Sequence, residues 1–177
     1  DGIHLRWPSS YYNTGWWGEQ GKVEKNKQHE ERVNKISDFL EKSYAYFKSN
    51  SGIDLKMESM LGVFNGDKNL YLHANYSKDI IEGINICKKF NIKKIVLVGG
   101  EDATKVMNVL KENNIPVILK RVHRLPKNED SKLYSPYEQA KILNDNNITF
   151  AFSYAGEMDA MGSRNLPFTA GTAVSYG

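Results

Sequence analysis

The stretch KIVLVGGEDATKVMNVLKENNIPVIL, from Lys94 to Leu119, decides the fold class. It opens with KIVLV, a continuous apolar run that is typical of a strand buried on both faces of a parallel sheet. Gly99 and Gly100 end that run, and a segment of helical periodicity continues to about Asn113. A second apolar run, PVIL, begins at Pro116. A strand, a helix and another strand in this order predict a βαβ unit with parallel strands.

Strands and helices alternate over most of the chain. Short apolar runs predict the strands, and apolar residues three or four positions apart predict the helices between them. The predicted strands span residues 2–7, 69–73, 94–98, 116–119 and 149–154. The predicted helices span residues 24–49, 55–64, 78–90, 102–113, 135–144 and 166–176, and the dipeptide Asn-Ile opens three strand segments, at Asn91, Asn114 and Asn147. This pattern predicts an α/β protein with parallel strands and right-handed helical crossovers.

The composition excludes several classes of protein. The 177 residues are 40% hydrophobic and 25% charged with a net charge of +3, which is typical of globular proteins and argues against disorder. No apolar run approaches the ~20 residues of a membrane helix, and the charged and aromatic opening is unlike a signal peptide. The single cysteine, Cys87, excludes an internal disulfide framework. The small, dispersed positive charge argues against a nucleic-acid partner.

The residues that follow each strand are the first candidates for chemistry, because parallel α/β folds bind ligands at the carboxyl ends of their strands. His73 ends one predicted strand, and histidine is both the commonest metal ligand and the usual general base near neutral pH. The alternative is a structural histidine bonded to a loop carbonyl. Gly99 and Gly100 end the next strand, but Glu101 and Asp102 place negative charge where a phosphate would bind. The glycine pair therefore predicts a tight turn.

A basic cluster follows the predicted strand over 116–119. It contains Arg121, His123 and Arg124. Arginine has the planar fork that matches a substrate carboxylate, so the cluster is a candidate substrate-binding site. The alternative is a solvated loop neutralised by nearby acidic residues. The cluster is too short for a nucleic-acid interface.

Two loops contain further candidates. Trp16 and Trp17 lie in a glycine-rich loop over 9–21 that also contains tyrosines. This loop either covers a substrate pocket as a wall or lid, or packs against polypeptide outside this sequence. Asp159 follows the last predicted strand, where a carboxylate suits a metal ligand or a general base, with capping and surface roles as the alternatives.

Three phrases of the sequence resemble the amidohydrolase superfamily, in its branch related to imidazolonepropionase. They are LYLHANYSKDIIEGI (70–84), IVLVGGEDATKVMNVLKENNIPVILKRVHRLP (95–126) and SRNLPFTAGTAVSYG (163–177). The resemblance implies a (β/α)8 TIM barrel with a metal centre at the carboxyl ends of its strands. Residues 1–177 are expected to form a partial barrel domain, roughly from the fourth strand to the eighth, because a complete barrel typically needs ~250 residues.

The resemblance also implies a set of metal ligands. Superfamily members usually hold one or two divalent metals through an HxH pair on the first strand, a lysine or glutamate on the fourth, histidines on the fifth and sixth, and an aspartate on the eighth. His73 matches the fifth-strand histidine, and the expected metal is Zn²⁺. Gly99-Gly100 stands in place of the sixth-strand histidine, and Tyr154-Ala155 in place of the eighth-strand aspartate, with Asp159 as its substitute. One ion is therefore expected rather than an ordinary binuclear site.

Two functions follow from the resemblance. In the first, the protein is a hydrolase in which metal-activated water attacks the C–N bond of a linear or cyclic amide. His73 would bind the metal and Asp159 would be the catalytic carboxylate. The substrate contacts would come from Arg121, His123, Arg124, Trp16 and Trp17. In the second, the barrel has lost its metal and its catalysis and serves as a binding or structural module.

An exposed barrel edge predicts a protein partner under either function. Half of a barrel leaves apolar strand edges and helix faces uncovered, which favours association. The expected partners are the missing barrel half, another chain or a second copy in a homo-oligomer, together with a small amide substrate for the hydrolase.

Overall fold

The computed structural model describes residues 1–15, 21–49, 52–120, 122–126, 131–154 and 162–177. The chain divides into two compact units, Asp1–Ile95 and Val96–Gly177, and each combines strands with helices. No helix in these described ranges is long and apolar enough to cross a bilayer. The α/β class predicted from the sequence is confirmed.

The first unit combines a parallel strand pair with a small hairpin and several helices. Its elements are strands β1 (Gly2–Arg6), β2 (Tyr11–Asn13) and β3 (Val23–Lys25), helices α1 (His29–Ser49), α2 (Leu55–Glu58) and α3 (Leu61–Phe64), strand β4 (Asn69–Ala74) and helix α4 (Ser77–Lys89). Strands β1 and β4 pair in parallel, with His4 opposite Tyr71 and Arg6 opposite His73. Strands β2 and β3 form the antiparallel hairpin.

Alternation along β4 gives this strand two different faces. The buried side chains are Leu70, Leu72 and Ala74, and the half-buried ones are Asn69, Tyr71 and His73. Helix α4 packs against the buried face, because a Cβ added at Gly83 would lie 2.9 Å from Cδ2 of Leu72. His73 therefore lies on the face of β4 that points away from α4.

The second unit contains the remaining parallel strands. Strand β5 (Ile95–Gly99) crosses the boundary between the units, and the next elements are a 3₁₀ turn (Ala103–Lys105), helix α5 (Met107–Glu112), strand β6 (Val117–Leu119), helix α6 (Ser135–Asp145), strand β7 (Phe150–Phe152), a 3₁₀ turn (Ser163–Asn165) and helix α7 (Leu166–Ser175). Strand β6 pairs in parallel with both β5 and β7. Leu97, Leu110, Val117 and Leu143 are fully buried and form the centre of this unit's core.

The Asn-Ile dipeptides end helices rather than open strands. Asn91, Asn114 and Asn147 have φ angles of 57°, 50° and 55°, in the left-handed region that asparagine tolerates better than most residues. The N–H groups of the following isoleucines donate to carbonyls in the last helical turn, from Ile92 to Cys87, Ile115 to Leu110 and Ile148 to Leu143. These bonds define the Schellman motif, whose apolar residue packs back on the helix it ends. All three isoleucines are buried accordingly.

The front of the chain differs from the prediction. The helix predicted from Glu24 begins at His29, because Val23–Lys25 form a strand that pairs with Tyr11–Asn13. Every residue of both hairpin strands is exposed, so no apolar alternation marks them in the sequence. Tyr12 donates a hydrogen bond of 3.1 Å to Glu24 across the hairpin, and this bond to the carboxylate raises the pKa of Tyr12. The predicted helix over 55–64 is two short helices, and the one over 102–113 begins as a 3₁₀ turn.

The glycine pair at the end of β5 forms the predicted tight turn. Gly99 and Gly100 have φ angles of 102° and 59°, which residues other than glycine rarely adopt. A Cβ added at Gly100 would lie 3.1 Å from Leu97 and 3.2 Å from Val117, so the turn also needs the close approach that glycine allows. A side chain at position 100 would therefore be crowded by Leu97 and Val117.

The reactivity of the Cys87 thiol tests whether α4 packs against the core as described. Cys87 is fully buried, and burial raises its pKa to about 12 because the apolar surroundings disfavour the thiolate. Since the thiolate is the reactive form, native Cys87 should be alkylated by iodoacetamide at about pH 8 far more slowly than a free cysteine. The labelling rate measured by mass spectrometry should rise to that of the free amino acid in denaturing guanidinium. Rapid labelling of the native protein would show that α4 does not pack as described.

Candidate functional site

Two histidines meet on the strand face of the first unit. His4 lies on β1 and His73 on the neighbouring β4, and Nδ1 of His4 lies 2.8 Å from Nε2 of His73. His4 also stacks on Tyr71, with ring centroids 4.7 Å apart and ring planes 13° apart. His4 is exposed and His73 is half-buried. The pair can share a proton through its hydrogen bond or offer two imidazole nitrogens to a metal ion.

A second cluster lies where helices α1 and α4 begin. His29 is the first residue of α1, and Asp79 and Glu82 lie three residues apart at the start of α4, on one side of the helix. Nε2 of His29 lies 2.9 Å from Oε2 of Glu82, and the indole N–H of Trp7 donates to the same oxygen at 3.1 Å. In the described part of the chain, His29, Asp79 and Glu82 form a group whose metal-binding atoms all lie within 4.8 Å of one another.

The buried cluster is tied to both ends of the β2–β3 hairpin. The backbone N–H of Ser10 donates to both carboxylate oxygens of Asp79, each at 3.1 Å. Asn26 then joins the two ends, because its N–H donates to the carbonyl of Ser10 at 2.9 Å and its side-chain amide donates to the carbonyl of Ser9 at 2.8 Å. The start of α4 therefore anchors the segments that enter and leave the hairpin.

The second unit has its own polar group after β6. Nε2 of His123 lies 2.7 Å from Oγ1 of Thr172 on α7, and the His123 ring meets Tyr137 edge-on at 6.0 Å. The guanidinium of Arg124 lies 3.9 Å from a carboxylate oxygen of Glu101. His123 and Arg124 thus have partners within this unit, and Arg124 carries a cation that could also meet a substrate anion.

Comparison with solved structures identifies a similar fold. The crystal structure of an amidohydrolase from Thermotoga maritima MSB8 matches with a TM-score of 0.69 and 22% sequence identity. The match covers 99% of this chain and 46% of that chain, so this chain spans about half of its length. The fold is amidohydrolase-like. No family model matches the sequence, and no curated protein matches it either.

The predicted site residues of this amidohydrolase-like fold divide into two sets. His73, His123 and Arg124 are described, the first within one unit and the other two within the other. Trp16, Trp17, Arg121 and Asp159 lie outside the described residues. Their proposed roles remain predictions. Of the described residues, His73 contacts a second histidine, His4.

The buried cluster was not predicted from the sequence. Asp79 and Glu82 lie inside one of the phrases that resemble amidohydrolases, and their spacing places two carboxylates on one side of a helix. The sequence therefore contains a local signal for this pair of carboxylates. The contribution of His29 was not, because 53 residues separate it from Glu82 and its helix was predicted to begin earlier.

Gln139 supports the glycine turn that follows β5, and its replacement has a defined pH signature. Its buried side-chain amide donates to the carbonyl of Gly100 at 2.6 Å and to that of Glu101 at 3.3 Å. Gln139→Glu removes this donor and directs a buried carboxylate at two carbonyl oxygens, so the free energy of unfolding should fall by about 3 kcal/mol at neutral pH. The loss should shrink in mild acid, because burial raises the pKa of the new carboxyl in the folded state, and its protonated form regains a donor.

Gln28→Glu is the matched control, because Gln28 is exposed at the start of α1. Its unfolding free energy, from denaturant titrations at both pH values, should remain close to that of the unmodified protein. Equal stability of the two variants at neutral pH would contradict the described role of Gln139.

Proposed function

We propose that this chain is the carboxyl-terminal part of a (β/α)8 barrel that hydrolyses the C–N bond of an amide or cyclic amide. The observation that carries the proposal is the contact between His4 and His73 on neighbouring parallel strands of an amidohydrolase-like fold. His73 is the next-to-last residue of β4, near the carboxyl end where such barrels place their catalytic groups. The resemblance of phrase 70–84, which contains His73, to the imidazolonepropionase branch favours a cyclic amide.

A Zn²⁺-type ion fits the two histidines. Zinc binds imidazole nitrogens at about 2.0–2.1 Å, so two of them on a tetrahedral ion lie about 3.3 Å apart. Nδ1 of His4 and Nε2 of His73 are 2.8 Å apart, and a small rotation of either ring meets the requirement. A bound ion supplies a water of lowered pKa and polarises a carbonyl. On this proposal His73 and His4 bind the ion, and the rest of the barrel supplies the remaining ligands.

Basic side chains of the second unit are proposed to bind the substrate. Arg124 and Arg121 would pair with a substrate carboxylate, for which the guanidinium fork is suited. His123 would donate to the same group, held by its contact with Thr172. Asp159 would accept a proton from the attacking water, and Trp16 and Trp17 would cover the pocket and exclude solvent.

The rest of the barrel is the partner that this proposal requires. Among the described strands, β1 lies at an edge, and a largely apolar cleft of about 350 Å³ lies beside it in the first unit, lined in part by Ile3, Leu5, Ile36 and Phe39. Further barrel strands and helices would bury this surface, consistent with the chain's matching about half of the amidohydrolase of known structure. A homo-oligomer or another chain is the alternative cover for the same edge.

The glycine turn favours a second candidate function, a barrel that binds without catalysing. The resemblance places a sixth-strand histidine where this chain has Gly99 and Gly100, and both glycines are committed to a turn with positive φ angles. With that ligand missing, binding of two ions in the usual way is lost. A single ion on His73 separates the hydrolase from the binding module.

Substitution of His73 tests the proposed hydrolase. His73→Ala in the complete protein should lower the bound Zn²⁺ by one ion per chain and reduce kcat for hydrolysis of a cyclic amide by at least about 100-fold, because the ion activates the attacking water. Metal content is measured by mass spectrometry of the dialysed protein, and hydrolysis by release of the ring-opened product. Unchanged metal content would show that His73 is not a ligand.

His123→Gln is the informative comparison. It should keep the metal content of the unmodified protein and raise KM, because His123 is proposed to contact the substrate and not the ion. If the unmodified complete protein neither hydrolyses a cyclic amide nor binds metal at His73, the binding module becomes the better description.

A further inference from the structure

We propose that His29, Asp79 and Glu82 bind one divalent cation of the Zn²⁺ type. The ion would hold the segments at the two ends of the β2–β3 hairpin, near Ser10 and Asn26, against helix α4. This site is additional to the proposed hydrolytic centre and does not depend on it. All of its residues belong to the first unit.

The three side chains already converge as ligands of one ion. Their ligand atoms all lie within 4.8 Å of one another, and Nε2 of His29 is 2.9 Å from Oε2 of Glu82. Ligand atoms about 2.0–2.2 Å from a common zinc lie about 3–3.5 Å from each other, so the His29–Glu82 pair would widen slightly and the more distant pairs would move closer together. One imidazole with two carboxylates favours Zn²⁺ over Ca²⁺ or Mg²⁺, which prefer oxygen ligands alone.

The cluster carries more negative charge than its described neighbours offset. Asp79 and His29 are buried and Glu82 is half-buried. In the described ranges no lysine or arginine forms an ion pair with either carboxylate, and the nearest basic group is the His29 imidazole, 2.9 Å from Glu82. The other donors are the Ser10 N–H and the Trp7 indole. Since buried carboxylates are costly unless they are paired or coordinate a metal, a divalent cation balances this charge.

Two buried polar atoms of residues in or next to the cluster lack hydrogen bonds. Nδ1 of His29 and Oγ of Ser10 have no hydrogen-bond partner among the described residues, and the two residues are 4% and 2% exposed. Ser10 is adjacent because its own N–H bonds Asp79. An unsatisfied buried hydroxyl costs free energy, so Oγ of Ser10 indicates a polar group that completes the site, such as a water bound to the ion. Nδ1 of His29 lies across the ring from the Nε2 that faces Glu82, so it needs a hydrogen-bond partner of its own.

The site lies on the helix side of the strand pair. A Cβ added at Gly83 would lie 2.9 Å from Leu72 and 3.3 Å from Trp7, which places the beginning of α4 against the buried face of β4. His73 belongs to the opposite face of the same strand. The two proposed ions therefore have no ligand in common, and each can be removed by substitution without touching the ligands of the other.

Zinc binding by matched variants tests the inference. The chelator-treated protein is titrated with Zn²⁺ by calorimetry, and the bound zinc is then counted after dialysis. Asp79→Asn and Glu82→Gln keep the shape of each side chain and remove one anionic ligand, so each should lose one Zn²⁺ per chain or bind it at least about tenfold more weakly. Glu30→Gln, an exposed carboxylate next to His29, should bind as the unmodified protein does. Mg²⁺ at the same concentration should not compete.

His73→Ala separates this inference from the proposed hydrolase. It should leave the ion at His29, Asp79 and Glu82 in place, just as Asp79→Asn should leave the ion at His73. Zinc content that is equal in the unmodified protein and in both cluster variants would overturn the inference, and the cluster would then be a metal-free hydrogen-bond network. If the variants do not fold, anomalous diffraction from zinc-soaked crystals of the unmodified protein decides: a peak between the three side chains supports the site, and its absence overturns it.

Discussion

The parallel pairing of β1 with β4 determines where each proposed site lies. Side chains of a strand alternate between its faces, so Leu70 and Leu72 enter the core beneath α4 while Tyr71 and His73 remain on the other face. The register of the pair brings His4 opposite Tyr71, close enough for its ring to reach His73. A shift of one residue in this register would exchange the two faces, and with them the histidine pair and the core.

Much of the fold could be predicted because its signals are local. Apolar runs predict the main strands, and apolar periodicity predicts helix α4, in which Ile80, Ile84 and Cys87 are buried. The Asn-Ile repeat predicts the wrong element, since asparagine ends each helix in the left-handed conformation before the strand begins. The β2–β3 hairpin was not predicted, because its strands are exposed on both faces and show no alternation of apolar and polar residues.

The candidate sites could be predicted only in part, because their contacts are distant in sequence. His73 was singled out from its position at a strand end, but its partner His4 is 69 residues away and follows only from the register. The same separation joins Ser10 to Asp79. A helix pattern places Asp79 and Glu82 on one side of α4, yet nothing local indicates that His29 reaches them. The resemblance to amidohydrolases predicts ligands at the ends of the strands and predicts no site on the side of the helices.

Gly83 shows how one small residue links the core to the buried cluster. Gly83 follows Glu82 directly, and a Cβ at Gly83 would press on Leu72 and Trp7. Because glycine has no Cβ, α4 can approach the strands closely. The approach brings Glu82 to within 3.1 Å of the Trp7 indole and 2.9 Å of His29. Packing of apolar groups therefore sets the distances between the polar ones. A cation held by that cluster stabilises the folded hairpin base in turn, because an ion that binds only the folded state shifts the equilibrium toward it.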